Sequence, residues 1–293
     1  MSLCTLCPRR CHALRTPTEG HGFCALPETM QIARIAPHLW EEPPISGERG
    51  TGAIFFSGCT LRCVYCQNAE ISHRNLGRAF TPRQLADSMK RLCDLGMETV
   101  SFITATPYVP QILEALELFR PPVPLVWNTS GYEEVDTLRR LEGVMDVYLP
   151  DLKHKSASMS RLCAGAPDYF EKASLAILEM VRQCPEAEYN ARGIMTRGVL
   201  IRHLILPGCT GESMQLLNWV HEFLPPTVPV SLMQQYVPCN DVSIPGLQRR
   251  ITPREYDRVT SHMLALGMRG FFQGPTSASV DFIPVFNRDE SFV

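Results

Sequence analysis

Short apolar runs alternate along most of this chain with stretches whose apolar positions recur every three or four residues. That is the pattern of strands feeding helices. The runs predict strands at 52–57, 99–103, 125–128, 145–149, 199–205 and 230–233, with helices near 81–95, 109–119, 135–141, 169–184, 212–223 and 252–266. Two helix starts are signed locally: Thr81-Pro82 and Thr252-Pro253 each put an N-cap hydroxyl before a proline at the first helical position, where its missing N–H costs little. Such alternation builds a parallel sheet with helical crossovers. Six units predict an α/β partial (β/α)6 TIM-like barrel, with a doubly wound open sheet as the alternative.

The first thirty residues break this pattern. They hold Cys4, Cys7, Cys11 and Cys24 with Pro8, Pro17, Gly20 and Gly22 as turn formers, and they predict a small amino-terminal Cys-rich metal-binding lobe. The expected organisation is this lobe over 1–30, a connection over 31–50 through Pro43 and Pro44, the barrel over 51–273 and a carboxy-terminal extension over 274–293.

Composition narrows the class. A length of 293 residues with 45% hydrophobic content suits a globular chain, and 28 basic against 30 acidic residues leave a charge of −2. No overall basic field draws nucleic acid or an anionic membrane, so neither is expected as a partner. The first ten residues carry two cysteines and no apolar core of signal-peptide length, and no apolar run reaches about 18 residues. The sequence therefore reads as cytoplasmic. Twelve cysteines are too few for a disulfide scaffold of this length, and seven fall in the first 66 residues at short spacings, which points to metal ligation.

The segment from Ser57 to Asn68 carries Cys59, Cys63 and Cys66 directly after the first predicted strand. In a parallel barrel, loops after strand C-termini form the functional face. Three thiolates within eight residues can hold three corners of a cubane iron–sulfur cluster, leaving one iron open to a chelating substrate. A structural zinc loop is the competing reading, but zinc usually takes four protein ligands and no fourth is near.

The Cys-x3-Cys-x2-Cys spacing, with Tyr65 before the last cysteine and a strand before the first, resembles the radical S-adenosylmethionine superfamily. Leu206-Pro207-Gly208 after Arg202-His203, Asp151-Leu152-Lys153 after the fourth strand and the run from Trp127 to Tyr132 resemble the branch related to pyruvate formate-lyase activating enzymes. Cys4-x2-Cys7-Pro8-Arg9-x-Cys11, the run from Tyr148 to Lys153 and Gln234-Gln235-Tyr236 resemble its activating-enzyme-like subfamily. The likeness runs from Cys4 to about Gln273. It implies a 4Fe-4S cluster on Cys59, Cys63 and Cys66 as the catalytic centre. Its open iron is chelated by S-adenosylmethionine, whose one-electron cleavage gives methionine and a 5'-deoxyadenosyl radical that abstracts hydrogen.

By family position, Thr104 to Pro107 line the methionine amino group. Here Thr104-Ala105-Thr106-Pro107-Tyr108 stands where the superfamily has a Gly-Gly-Glu-Pro-like loop, so no carboxylate is available for that role. Thr104 and Thr106 remain candidate cofactor contacts. Asn128 and Ser130 are candidates for the ribose or carboxylate, although Asn-Thr-Ser-Gly is also an ordinary turn. Asp151 and Lys153 alternate along a strand end, and either bind cofactor from one side or form a surface salt bridge. Arg202, among apolar strand residues, needs an anionic partner if buried, and the methionine carboxylate is one candidate. His203 then faces the opposite side as a structural residue. Tyr65 either shields the cluster or fills space. Cys93, Cys163, Cys184, Cys209 and Cys239 lack partner spacing and read mostly as buried inert thiols.

The amino-terminal Cys-x2-Cys-x3-Cys-x12-Cys set suits a closed four-sulfur site for zinc or a second iron–sulfur cluster, and its ligand softness does not separate the two. The leading functional expectation is an oxygen-sensitive, anaerobic radical enzyme that installs a glycyl radical on a partner, a glycyl radical enzyme, with a flavodoxin- or ferredoxin-type electron donor. The same radical directed at a peptide, lipid or small metabolite is the second expectation. A non-catalytic zinc-binding module is the third.

Overall fold

The computed structural model describes residues 3–240, 242–273, 284, 286 and 288–293. Eleven strands are described: β1 (Met30–His38), β2 (Thr51–Phe56), β3 (Arg78–Phe80), β4 (Thr99–Ile103), β5 (Leu125–Thr129), β6 (Val147–Pro150), β7 (Glu188–Tyr189), β8 (Met195–Val199), β9 (Ile201–Leu204), β10 (Val230–Met233) and β11 (Gly270–Phe272). They form one sheet of order β3-β1-β2-β4-β5-β6-β8-β7 and another of order β11-β10-β9. Leu200 alone separates β8 from β9, and its N–H donates to the Tyr148 carbonyl at 2.9 Å. A further parallel bridge joins Asp151 to Arg202, so the segment 195–204 passes from β6 to β10 and links the two sheets.

From β2 to β11 the parallel strands advance in a single direction of strand order. A doubly wound sheet reverses its order at a switch point. No reversal occurs among the described strands, and the fold is an α/β partial barrel. The six predicted strands are present with ends moved by one or two residues, and β11 adds a further parallel strand. Ile54, Phe56, Phe102, Trp127 and Tyr148 are buried in the interior of this assembly, each contributing roughly 1.5–3 kcal/mol by leaving water.

The predicted helices are found at Pro82–Asp94, Val109–Leu118, Val135–Arg139, Tyr169–Gln183, Thr210–Phe223 and Pro253–Ala265. Both signed starts form reciprocal capping boxes. Gln84 N–H donates to Thr81 Oγ1 at 3.2 Å while Thr81 N–H donates to Gln84 Oε1 at 2.8 Å, and Thr252 and Glu255 repeat the exchange.

One expectation needs correction. Residues 31–50 are not a bare connection, because β1 pairs antiparallel with both β2 and β3. A bulge between Ile32 and Arg34 interrupts its alternation, so the strand lacks the period that would have announced it. The helix Ala157–Ala164 was likewise not foreseen. Of the expected carboxy-terminal extension, residues 274–283, 285 and 287 lie outside the described residues. Among the described residues no helix is long and apolar enough to cross a membrane.

Candidate active site

The loop after β2 begins with Gly58, whose φ of +79° is the left-handed region that glycine adopts freely. A Cβ there would also stand 2.3 Å from Leu26 Cδ1. The chain turns at this point and presents Cys59, Cys63 and Cys66 to a cavity of about 740 Å3. The cavity lies at the carboxyl ends of the parallel strands. Thr104 reaches it from the end of β4, Asn128 and Ser130 from β5, Asp151 and Lys153 from β6, and Arg202 from β9.

The three thiols belong to one electrostatic unit. Burial pushes Cys59 up to about 12 and pushes Cys63 up as well, with the nearby Lys153 ammonium opposing the rise at both. Leu61 N–H donates to Cys59 Sγ at 3.4 Å, and Ser72 Oγ lies 3.2 Å from Cys66 Sγ. Hydrogen bonds of this kind tune thiolate ligands.

Arg202 is the hub of the polar wall. Its Nε donates to Asp151 Oδ1 at 2.9 Å, one terminal nitrogen to Glu41 at 2.7 Å and the other to Asn128 Oδ1 at 2.7 Å. Lys153 Nζ donates to the other Asp151 oxygen at 2.5 Å. Burial opposes ionisation of Asp151, but the two cations outweigh it and hold its carboxyl below the ordinary range. Glu42 stands 3.8 Å from Arg202, and burial pushes it up to about 8. Glu42 Oε2 and Ser130 Oγ are buried without hydrogen-bond partners. Orphaned polar atoms on a cavity wall are the groups a polar ligand satisfies.

All but one of the expected cofactor contacts converge here, Tyr65 included. The Tyr65 hydroxyl meets His154 Nε2 at 3.0 Å, which fixes the ring beside the cysteine loop. Thr106 is the exception. Its hydroxyl donates to buried Glu133 at 2.6 Å and it does not line the cavity, because the chain turns into a 3-10 helix at Thr106–Tyr108. Thr104 just before it has φ +47°, a strained conformation for a β-branched residue, and its N–H donates to the Asn128 carbonyl at 2.9 Å. His203 faces away from the cavity, as expected of a structural residue: Nδ1 donates to the Leu152 carbonyl at 2.6 Å, and Nε2 lies 2.8 Å from Ser213 Oγ.

Sequence reasoning missed Glu41, Glu42 and Glu133. The Glu-Glu pair before Pro43 was a visible signal, but only β1 carries those carboxylates to Arg202.

The donor set fits a cubane cluster. Three soft thiols from one loop line a cavity whose wall carries matched charges and orphaned polar atoms. Cys239 does not line the cavity. Its thiol donates to the Tyr65 carbonyl at 3.3 Å behind the loop. Among the described residues, no three His, Cys, Asp or Glu side chains stand at the spacing that holds a single metal ion.

Residues 53–219 match the family model described as "Radical SAM superfamily". An uncharacterised protein of Methanocaldococcus jannaschii is 29% identical over 268 residues, covering 87% of this chain and 72% of its own. A putative glycyl-radical enzyme activating enzyme of Haemophilus influenzae is 26% identical over 188 residues, covering 61% of this chain and 68% of its own. Among solved structures, a radical SAM methyltransferase from Sphaerobacter thermophilus superimposes with a TM-score of 0.54 at 14% identity, over 78% of this chain and 67% of that one. This last likeness concerns the fold alone.

Proposed function

Since the chain belongs to the radical SAM superfamily, we propose that it cleaves S-adenosylmethionine reductively and takes a hydrogen atom from a glycyl residue of a partner protein. The observation that carries this reading is the convergence of Cys59, Cys63 and Cys66 with Asn128, Ser130, Asp151 and Lys153 on one cavity at the strand ends. When bound, a 4Fe-4S cluster supplies the electron that splits the sulfonium into methionine and a 5'-deoxyadenosyl radical.

The chain's own residues bind, orient and exclude. Cys59, Cys63 and Cys66 are the thiolate ligands. Lys153 beside Asp151 offers an ammonium to a carboxylate, while the unpaired Ser130 hydroxyl and Asn128 offer hydrogen bonds to a ribose or an amino acid moiety. Phe55, Phe56 and Tyr65 line the cavity with rings that keep water from a reactive carbon. Arg202 is already bonded to Asp151, Glu41 and Asn128, so its role is to position them rather than to bind the methionine carboxylate directly. The glycyl target is supported by the relative from Haemophilus influenzae, whose description names a glycyl-radical enzyme activating enzyme. A flavodoxin- or ferredoxin-type protein would deliver the electron in the cytoplasm.

The test is anaerobic reconstitution, reduction and assay of 5'-deoxyadenosine from S-adenosylmethionine, in the wild type and in Cys59→Ala, Cys63→Ala and Cys66→Ala. The expected result is nucleoside from the wild type and at least a hundredfold loss in each variant. Retention of nucleoside formation in the variants sinks the site assignment. Formation of nucleoside without a glycyl radical on any co-purified or co-encoded partner, but with a modified peptide, sinks the glycyl target alone.

A further inference from the structure

Cys4, Cys7, Cys11 and Cys24 lie outside the matched span and ring a second, much smaller cavity of about 10 Å3, closed on one side by Thr60. Three independent features mark these thiols as a built set. The first is backbone strain: Arg10 (φ +37°) and His12 (φ +48°) flank Cys11, and Ala25 (φ +52°) follows Cys24. Left-handed conformations at residues other than glycine persist where the surroundings hold them for a purpose. The second is hydrogen bonding to sulfur. Arg9 N–H donates to Cys7 and Leu26 N–H to Cys24, the same two-residue step by which Leu61 N–H reaches Cys59. The third is space: Gly22 lies against Cys11, where a Cβ would stand 2.8 Å from Sγ.

Four thiolates give the same net charge around zinc as around an oxidised 4Fe-4S cluster, so size decides the occupant. Four thiolates around a divalent ion leave a net charge of −2. Arg9 lines this cavity, and buried Arg15 acts on Cys24 while donating to the Pro107 carbonyl at 2.6 Å. One guanidinium therefore lines the centre and a second, buried nearby, acts on Cys24. The void is about the size of one water molecule, room for an ion rather than for a cubane.

We infer that Cys4, Cys7, Cys11 and Cys24 bind one zinc ion as a closed tetrathiolate, and that this ion latches residues 3–29 over the loop carrying Cys59. The thiols now stand wider than single-ion spacing. Binding draws them inward and releases their protons to solvent. The latch acts through Arg9, whose Nε donates to the Thr60 carbonyl at 2.9 Å and a terminal nitrogen to the Gly165 carbonyl at 2.7 Å. Thr60 is the residue after Cys59, so an ordered amino-terminal segment fixes the start of the cysteine loop.

The experiment measures zinc, iron and sulfide in the anaerobically purified full chain, in the double variant Cys7→Ser/Cys24→Ser and in Cys59→Ala. Expected are about one zinc per chain in the wild type, its loss in the double variant with iron and sulfide unchanged, and its retention in Cys59→Ala. A second measurement keeps to the wild type, in case the double variant does not fold. Zinc released by an organomercurial should appear with faster hydrogen exchange over residues 3–29, and cobalt in its place should show the visible absorption of a tetrahedral tetrathiolate. Iron and sulfide lost with the quartet, zinc that survives its removal, or a wild type with no zinc and no cobalt spectrum would each overturn the inference. None of these readouts depends on cleavage of S-adenosylmethionine.

Discussion

Arg202 donates to Asp151 at 2.9 Å across the one isolated bridge that joins the two sheets among the described residues. The same pair therefore joins the two sheets and shapes the wall of the cavity. Its side chains are mostly removed from water, and Glu41 completes the cage around the guanidinium. Removing one member of a buried charge network leaves the others uncompensated. Arg202→Gln should cost about 3–5 kcal/mol of unfolding free energy, read in an anaerobic denaturant melt. Arg202→Lys should recover only part, since an ammonium cannot reproduce three separate donations from a planar fork. A loss under about 1 kcal/mol would show that the network is not structural.

Gly58 should resist substitution for two reasons that add. Gly58→Ala puts a side chain at φ +79° and drives a Cβ to 2.3 Å from Leu26. We expect roughly 2–4 kcal/mol of destabilisation from left-handed strain plus overpacking. Gly58→Ala combined with Leu26→Ala should relieve the contact and leave the strain. Thermal melts of Gly58→Ala, Leu26→Ala and the double variant, read as a cycle, separate these contributions from the cavity that Leu26→Ala leaves.

Glu133 predicts a pH dependence. Burial lifts its carboxyl from the ordinary 4.5 to about 7, although Thr106, Thr129 and Trp127 all donate to it. Between those values the folded chain keeps a proton that the unfolded chain has released. The stability contributed here is therefore full below about pH 4.5 and is lost as pH rises towards 7. Glu133→Gln removes this loss, so its stability relative to the wild type should improve by up to about 3 kcal/mol between pH 4.5 and pH 8. Buried His154 and His203 are depressed to about 3 and about 4, and their contributions rise with pH over an overlapping window. The comparison is therefore between variant and wild type at each pH; a difference that does not change with pH would contradict the assignment.

Tyr65→Phe should leave His154 Nε2 without its partner in a buried site. An unsatisfied buried group costs about 1–3 kcal/mol, and the ring beside the cysteine loop loses its anchor. We expect a lower melting temperature and faster air bleaching of the reconstituted protein's brown absorption. Tyr65→Leu should be worse on the second measure, because it also removes the ring that packs edge-on against Tyr236 at 5.8 Å.

The sequence by itself determined what depends on neighbours along the chain. The spacing of Cys59, Cys63 and Cys66 after an apolar run marked the loop, because a few consecutive residues set which atoms a turn can bring together. Thr81 and Thr252 marked helix starts, because a cap is completed within four residues. The strand series followed from its period, and with it the face on which Asn128, Asp151 and Lys153 emerge. Only the tertiary structure decided what those residues meet. Strand β1 is held by antiparallel pairing to β2 and β3, not by its own alternation, and it carries Glu41 to an arginine 161 positions away. Thr106 turned from the cavity to Glu133 because a 3-10 turn, invisible to periodicity, rotates it inward. Partners of buried charges are chosen by three-dimensional proximity and desolvation, and neither is written in the local order of residues.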